Sequence, residues 1–126
     1  MADGTRGMSP LQSFIPGTQT QRAFRNALGQ FTTGVTVVTA QTDQGMIGMT
    51  VNSFASVSMD PPLVMWCPAK SSSRYAYFAG ASHFAVHILG AEHENIAQGF
   101  ARAGQAFDGL DMTVNADGTP LLHDCL

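Results

Sequence analysis

From Gln19 onward apolar residues recur at helical spacing: Phe24, Leu28 and Phe31 are four and three apart, Ala23 and Ala27 lie beside them, and Arg22, Arg25 and Gln30 fall elsewhere. This predicts an amphipathic helix, with Thr18 or Thr20 as its N-cap. The period then changes. Gly34-Val35-Thr36-Val37-Val38-Thr39-Ala40 is rich in β-branched residues, which crowd a helix but fit a pleated strand, and Asp43-Gln44-Gly45 supplies a turn. A second extended run is expected from Met46 to about Ser58. A third, Leu63 to Cys67, follows Asp60-Pro61-Pro62; it is apolar on both faces, the pattern of a buried strand. Strands separated by turns in this way predict an antiparallel meander.

Pro68 to Ser73 reads as a polar connection into a short helix at about Arg74 to Ala79. His83 to Leu89 sets Phe84, Val86 and Ile88 against His83, Ala85 and His87, a fourth strand. Glu92 and Glu94 then precede Ile96, Phe100 and Ala103 at helical spacing, with the acidic residues where a helix N-terminus favours negative charge. Phe107 to Leu126 holds Asp-Gly and Gly-Thr-Pro turn signals and only the beginnings of apolar runs. The expected organisation is a mobile segment over residues 1–18 and one domain over 19–126.

Composition narrows the function classes. A chain of 126 residues, 44% hydrophobic, has room for one core. With 12% charged residues and a net charge of -3 there is no basic surface to track a phosphate backbone or an acidic bilayer, so neither nucleic acid nor membrane is an expected partner. The apolar runs are too short to span a bilayer, and the first 17 residues hold no signal-like apolar stretch. Two cysteines, Cys67 and Cys125, are too few for a disulfide framework, which fits a cytoplasmic protein. Low charge and a patch-prone core also predict a homodimer.

Within the second run, alternation places Thr50, Asn52, Phe54, Ser56 and Ser58 on one face, opposite Met49, Val51, Ser53, Ala55 and Val57. That face offers neutral donors and acceptors, as the edge of a polar, uncharged ligand requires; it is equally the composition of an ordinary solvated strand. Lys70-Ser71-Ser72-Ser73-Arg74, just ahead of a helix, combines hydroxyls, free backbone N–H groups and two cations that could hold a phosphate, or it is a serine N-cap flanked by solvated charges. His83 and His87 are about 13 Å apart on a strand, too far to ligate one ion, and His93 and His123 have no evident partners. No metal site is expected. Cys67 reads as a buried small residue, and Trp66 as packing. No triad or carboxylate pair stands out, so no catalytic side chain is assigned.

Taken in order, Phe24-Arg25-Asn26-Ala27-Leu28-Gly29-Gln30-Phe31, Thr33-Gly34-Val35-Thr36-Val37-Val38-Thr39, Gly48-Met49-Thr50-Val51-Asn52-Ser53-Phe54, Ser56-Val57-Ser58, Asp60-Pro61-Pro62-Leu63-Val64 and Phe84-Ala85-Val86 resemble the short-chain flavin reductase family, over about Gln21 to Leu126. The resemblance implies a mainly β fold, an antiparallel FMN-binding split β-barrel of Greek-key type with flanking helices, usually dimeric. It implies an NAD(P)H:flavin oxidoreductase that supplies diffusible reduced flavin to a two-component monooxygenase. Carried onto this sequence, it places flavin contacts at Thr50, Val51, Asn52, Ser56 and Val57, at Trp66 and Cys67, at Ser71 and Ser72 near the phosphate, and at Phe100 and Ala101.

Hydride transfer from reduced nicotinamide to flavin asks the protein mainly to stack two rings at about 3 to 3.5 Å and to stabilise developing charge, which needs no acid or base motif. No ribose-reading signature separates FMN from FAD or NADH from NADPH. In the family, further strands follow the pattern matched by Gly118-Thr119-Pro120-Leu121-Leu122, whereas this chain stops at Leu126. The resemblance therefore implies a truncated member with an open barrel, or one completed by another chain. A flavin-binding module without turnover is the alternative.

Overall fold

The structure is a computed structural model, and it describes residues 13–30, 34–123 and 125–126. Most of the segment expected to be mobile, together with Phe31 and Thr33, lies outside the described residues. The chain divides into two compact units, Met1–Thr32 and Thr33–Leu126.

In the first unit a 3-10 turn, Thr18–Thr20, leads into helix α1, Gln21–Gly29. The helical period is correct but its apolar stripe is open, with Phe24 42% and Leu28 58% exposed. Thr20 occupies the N-cap position without capping: its hydroxyl donates instead to the Ile15 carbonyl at 2.7 Å. The preceding 3-10 turn brings that carbonyl within reach, and the helix keeps no side-chain cap.

The second unit is built on β1, Thr36–Thr42, and β2, Gly45–Val51, joined by a tight turn that ends on Gly45 at φ 92°. Only glycine adopts that conformation freely. β1 is the centre of a three-stranded antiparallel sheet. It pairs with β2 from Thr36↔Val51 to Thr42↔Gly45, and on its other edge with β5, Ala85–Ile88, from Thr36↔Ile88 to Thr39↔Ala85. Because both faces of β1 are covered, Thr36 to Ala40 are all buried. Val38 and Ala40 face Ile47, Met49, Val51 and Phe78, while Val37 packs on Phe100, Phe107 and Leu122. Each such large apolar side chain contributes about 1.5–3 kcal/mol by burial. The buried threonines are satisfied: Thr36 donates to Val51 O at 2.8 Å and Thr39 to Pro120 O at 2.6 Å.

The run expected from Met46 to Ser58 is two strands. β2 ends at Val51, and β3, Ala55–Met59, pairs only with β4, Pro62–Met65, in a separate hairpin with an irregularity between Ser56 and Ser58. There is accordingly no continuous meander. Nor is the Leu63 run buried. Leu63, Val64 and Met65 are 50%, 46% and 49% exposed, because this hairpin lies outside the three-stranded sheet rather than between two layers.

The rest follows the expected order. α2 is Tyr75–Ala79, and α3, Glu94–Arg102, follows a 3-10 turn at Ala91–His93. The tail that carried only turn signals forms a short hairpin of β6, Met112–Val114, and β7, Pro120–Leu122. Asn115 Oδ1 accepts the N–H groups of Asp117 and Thr119 in its turn, and Gly118 takes φ 81°. On β5 it is His87 that faces the core, while Ile88 is 48% exposed. The fold is mainly β and antiparallel throughout, its described strands forming three separate sheets rather than one closed barrel.

Candidate functional site

A pocket of about 340 Å³ opens at the C-terminal end of β2. β2 and the residues after it contribute Met49, Thr50, Val51, Asn52 and Ser53; the connection after β4 contributes Cys67, Pro68, Ala69 and Ser72; Arg74 and the last turn of α3, Phe100 and Ala101, complete it. The break in the expected long strand creates this space. Leaving the sheet at Asn52, the chain turns away into β3, and β4 returns alongside at Cys67, whose N–H donates to Ser53 Oγ at 2.9 Å.

Hydrogen bonds define what each wall offers. Thr50 Oγ1 donates to the Ala97 carbonyl at 2.5 Å, strapping α3 to β2, so towards a ligand this hydroxyl presents only lone pairs. Ser53 Oγ accepts from Cys67 N–H and Ser72 Oγ accepts from Arg74 N–H at 3.2 Å; each hydroxyl keeps its proton to donate. Arg74 is the single charged residue in the lining, and its guanidinium is committed to backbone: Nη1 donates to Gly48 O at 2.9 Å and to Phe100 O at 2.6 Å, Nη2 to Ala101 O at 3.2 Å. Burial lowers its pKa from the ordinary value, and an arginine still carries its charge at neutral pH.

Of the residues carried over by resemblance, Thr50, Val51, Asn52, Cys67, Ser72, Phe100 and Ala101 line this one pocket. Ser56 and Val57 lie on β3, outside it, and Ser71 is an exposed neighbour of Ser72. Trp66 adjoins Cys67 but spends its ring on Phe78 and Phe84, with centroids 5.1 and 6.1 Å away. Cys67, expected in the core, is exposed at the pocket mouth. The Phe100 ring is fully buried, edge-on to Phe107 at 4.9 Å, and backs the wall from behind. Met49, Ser53, Pro68 and Ala69 are lining residues that the pattern did not assign, and Arg74, read as one of two candidate phosphate cations, lines the pocket as well; nothing local in the sequence marks Ser53, whose place depends on the return of β4.

Two histidines read as unpartnered have partners. His93 Nδ1 accepts Gly90 N–H at 2.8 Å and so locks the entry to α3, and His123 sits 3.1 Å from Thr113 Oγ1 and 3.6 Å from Asp111. A second depression of about 430 Å³ lies beside His93, lined largely by Val35, Leu89, Ala91 and Ala97, and brings together fewer polar groups than the pocket at β2.

Fold and pocket define an antiparallel β domain with a cleft of small-molecule size at the end of a central hairpin. The profile of the flavin reductase like domain matches residues 28–126, and the chain belongs to that family. It is 61% identical over 113 residues to the FMN reductase (NADH) SmoA of Agrobacterium fabrum, a match covering 90% of this chain and 65% of that protein. The nitrilotriacetate monooxygenase component B of Mycobacterium thermoresistibile superposes with a TM-score of 0.79 at 36% identity, over 86% of this chain and 61% of that one. The NADH:FAD oxidoreductase SgcE6 of Streptomyces globisporus, solved with NAD and FAD fragments, gives 0.79 at 35% identity, covering 90% and 69%. The chain thus spans about two thirds of the length of SmoA, and 34% of the probable flavin reductase of Rhizobium meliloti.

Proposed function

We propose that this chain is the flavin-holding part of an NADH:flavin oxidoreductase that uses FMN or FAD and feeds reduced flavin to a monooxygenase component. The observation that carries the reading is the convergence of Met49–Ser53, Cys67–Ala69, Ser72 and the α3 end on one pocket of about 340 Å³, within the roughly 300–1,000 Å³ typical of small-molecule sites. The relatives' names supply the chemistry.

The donor set suits a flavin. Met49 and Val51 offer an apolar wall for a tricyclic ring; Thr50, Asn52 and Ser53 offer an uncharged polar edge; and Ser71 and Ser72, with Lys70 nearby in sequence, offer donors to a phosphate. Bound flavin supplies the two-electron chemistry, accepting a hydride from reduced nicotinamide. The chain's own residues bind and orient, and none acts as acid or base. NADH is favoured over NADPH by the names of the relatives, and residues 19–126 are taken as the working domain.

A homodimer in the cytoplasm fits this reading. Its support is the apolar exposure of the β3–β4 hairpin for the dimer and a content of only two cysteines for the compartment. Titration with riboflavin, FMN and FAD, followed by an NADH-consumption assay on the same sample, tests the function. The expected result is quenching of flavin fluorescence on binding and flavin-dependent loss of NADH absorbance. Binding without NADH oxidation leaves a flavin-holding module, and absence of binding removes the reading.

A further inference from the structure

Lys70 and Arg74 flank the serine loop, and by sequence the two cations are equivalent candidates for a phosphate. The structure separates them. We propose that Arg74 is a positioning residue, which clamps the last turn of α3 to β2 and thereby sets the width of the pocket, and that Lys70 is the cation of this loop left for a flavin phosphate. The inference rests on the flavin reading of the pocket.

Three observations carry it. First, the guanidinium fork reaches carbonyls on two elements, Gly48 O on β2 and Phe100 O and Ala101 O on α3, so one side chain closes the seam between them. Those α3 carbonyls belong to a helix end that has no following turn to accept from, where a cation is favoured. Second, the path of the side chain is kept clear by a glycine. A Cβ at Gly104 would lie 2.9 Å from Arg74 Cδ, and Gly104 O itself accepts Gly48 N–H at 2.8 Å, so the seam and the arginine are built together. Third, Ser72 Oγ accepts the Arg74 N–H, which couples the loop expected to meet the phosphate to the residue that holds the wall. A guanidinium with its fork spent on carbonyls presents little to an anion; Lys70 is exposed.

The consequence is a division of labour that two ligands resolve, because riboflavin has the ring system of FMN and no phosphate. In the full chain, Arg74→Ala is expected to raise the Kd for riboflavin and for FMN by the same factor, about tenfold. Arg74→Lys keeps the charge without the fork and should weaken both ligands in the same way, since an ammonium on a shorter side chain holds its three donors on one atom and lacks the two-nitrogen span by which the guanidinium reaches Gly48 O, Phe100 O and Ala101 O. Lys70→Ala should weaken FMN alone, and that effect should fade with salt. An Arg74 variant that loses FMN affinity with riboflavin unchanged, or that leaves both unchanged, overturns the proposal; where the alanine variant does not fold, the lysine variant carries the comparison.

Hydrogen exchange on ligand-free protein reads the clamp without flavin. Faster exchange of the Gly48 and Ala103 amides in Arg74→Lys supports the proposal, and unchanged exchange sinks it. Wild type that binds neither flavin defeats the functional reading, and the exchange result still decides the clamp.

Discussion

Gly48 shows how closely the wall behind the pocket is fitted. A Cβ built there would stand 2.6 Å from two carbons of the Phe100 ring, which is fully buried and already edge-on to Phe107, so it has nowhere to retreat. Gly48→Ala is therefore expected to cost about 1–3 kcal/mol by overpacking. Chemical denaturation measures this as a lower midpoint with unchanged slope; a variant as stable as the wild type shows that the ring yields. The neighbouring Thr50 hydroxyl illustrates what sequence could and could not show. Its place on a polar strand face was legible from alternation, but its use as a strap to Ala97, 47 residues away, depends on where α3 packs. Arg74 is the same case. Its charge was visible beside the serines, whereas its carbonyl partners lie 26 and 27 residues away in opposite directions and carry no side-chain signature at all.

Among the elements, the helices over 21–29 and 94–102 and the β1–β2 hairpin could be read from period and turn chemistry, because their signals are local. The strand break at Asn52 could not, since Ser53 and Phe54 continue the alternation and only the return of β4 at Cys67 shows why the chain leaves the sheet. The inward turn of His87 was equally hidden. Its ring joins three strands: Leu122 N–H can only donate, so Nε2 accepts it at 3.0 Å, and the proton resides on Nδ1, which donates to Val37 O at 2.9 Å. Burial lowers its pKa, outweighing the hydrogen bond to Val37 that raises it. The unfolded chain therefore binds a proton that the folded one refuses. Stability contributed by the neutral ring is fully present above the unfolded value of about 6.5 and falls as pH drops below it, until the lower folded value is reached. Thermal melts at pH 7.5 and 5.5 should show a drop in Tm for wild type that is smaller for His87→Gln, which cannot take up the proton. Equal drops would mean that other groups carry the acid sensitivity.

For the molecule as a whole, the unsolved physical problem is the β3–β4 ribbon. Successive strand side chains point to opposite faces, yet Leu63, Val64 and Met65 are each about half exposed, and Val57 and Met59 reach 56% and 91%. Both faces of the ribbon are thus open to water, and an isolated two-stranded hairpin is marginally stable at best. A second copy of the chain is the proposed cover, since a two-fold interface needs one self-complementary patch, and a net charge of -3 offers little repulsion against it. Sedimentation velocity at tens of micromolar should then give a species of twice the chain mass. Leu63→Lys combined with Val64→Glu should give monomer with little loss of fold, because exposed positions away from packing tolerate substitution to within about 0.5 kcal/mol. The pocket begins two residues beyond this ribbon, at Cys67, and shares its anchor at Ser53, so covering the ribbon also holds one rim of the site. The monomeric variant is accordingly expected to bind FMN less tightly than the dimer, and a wild type that sediments as monomer, or a monomeric variant with unchanged FMN affinity, breaks that link between assembly and site.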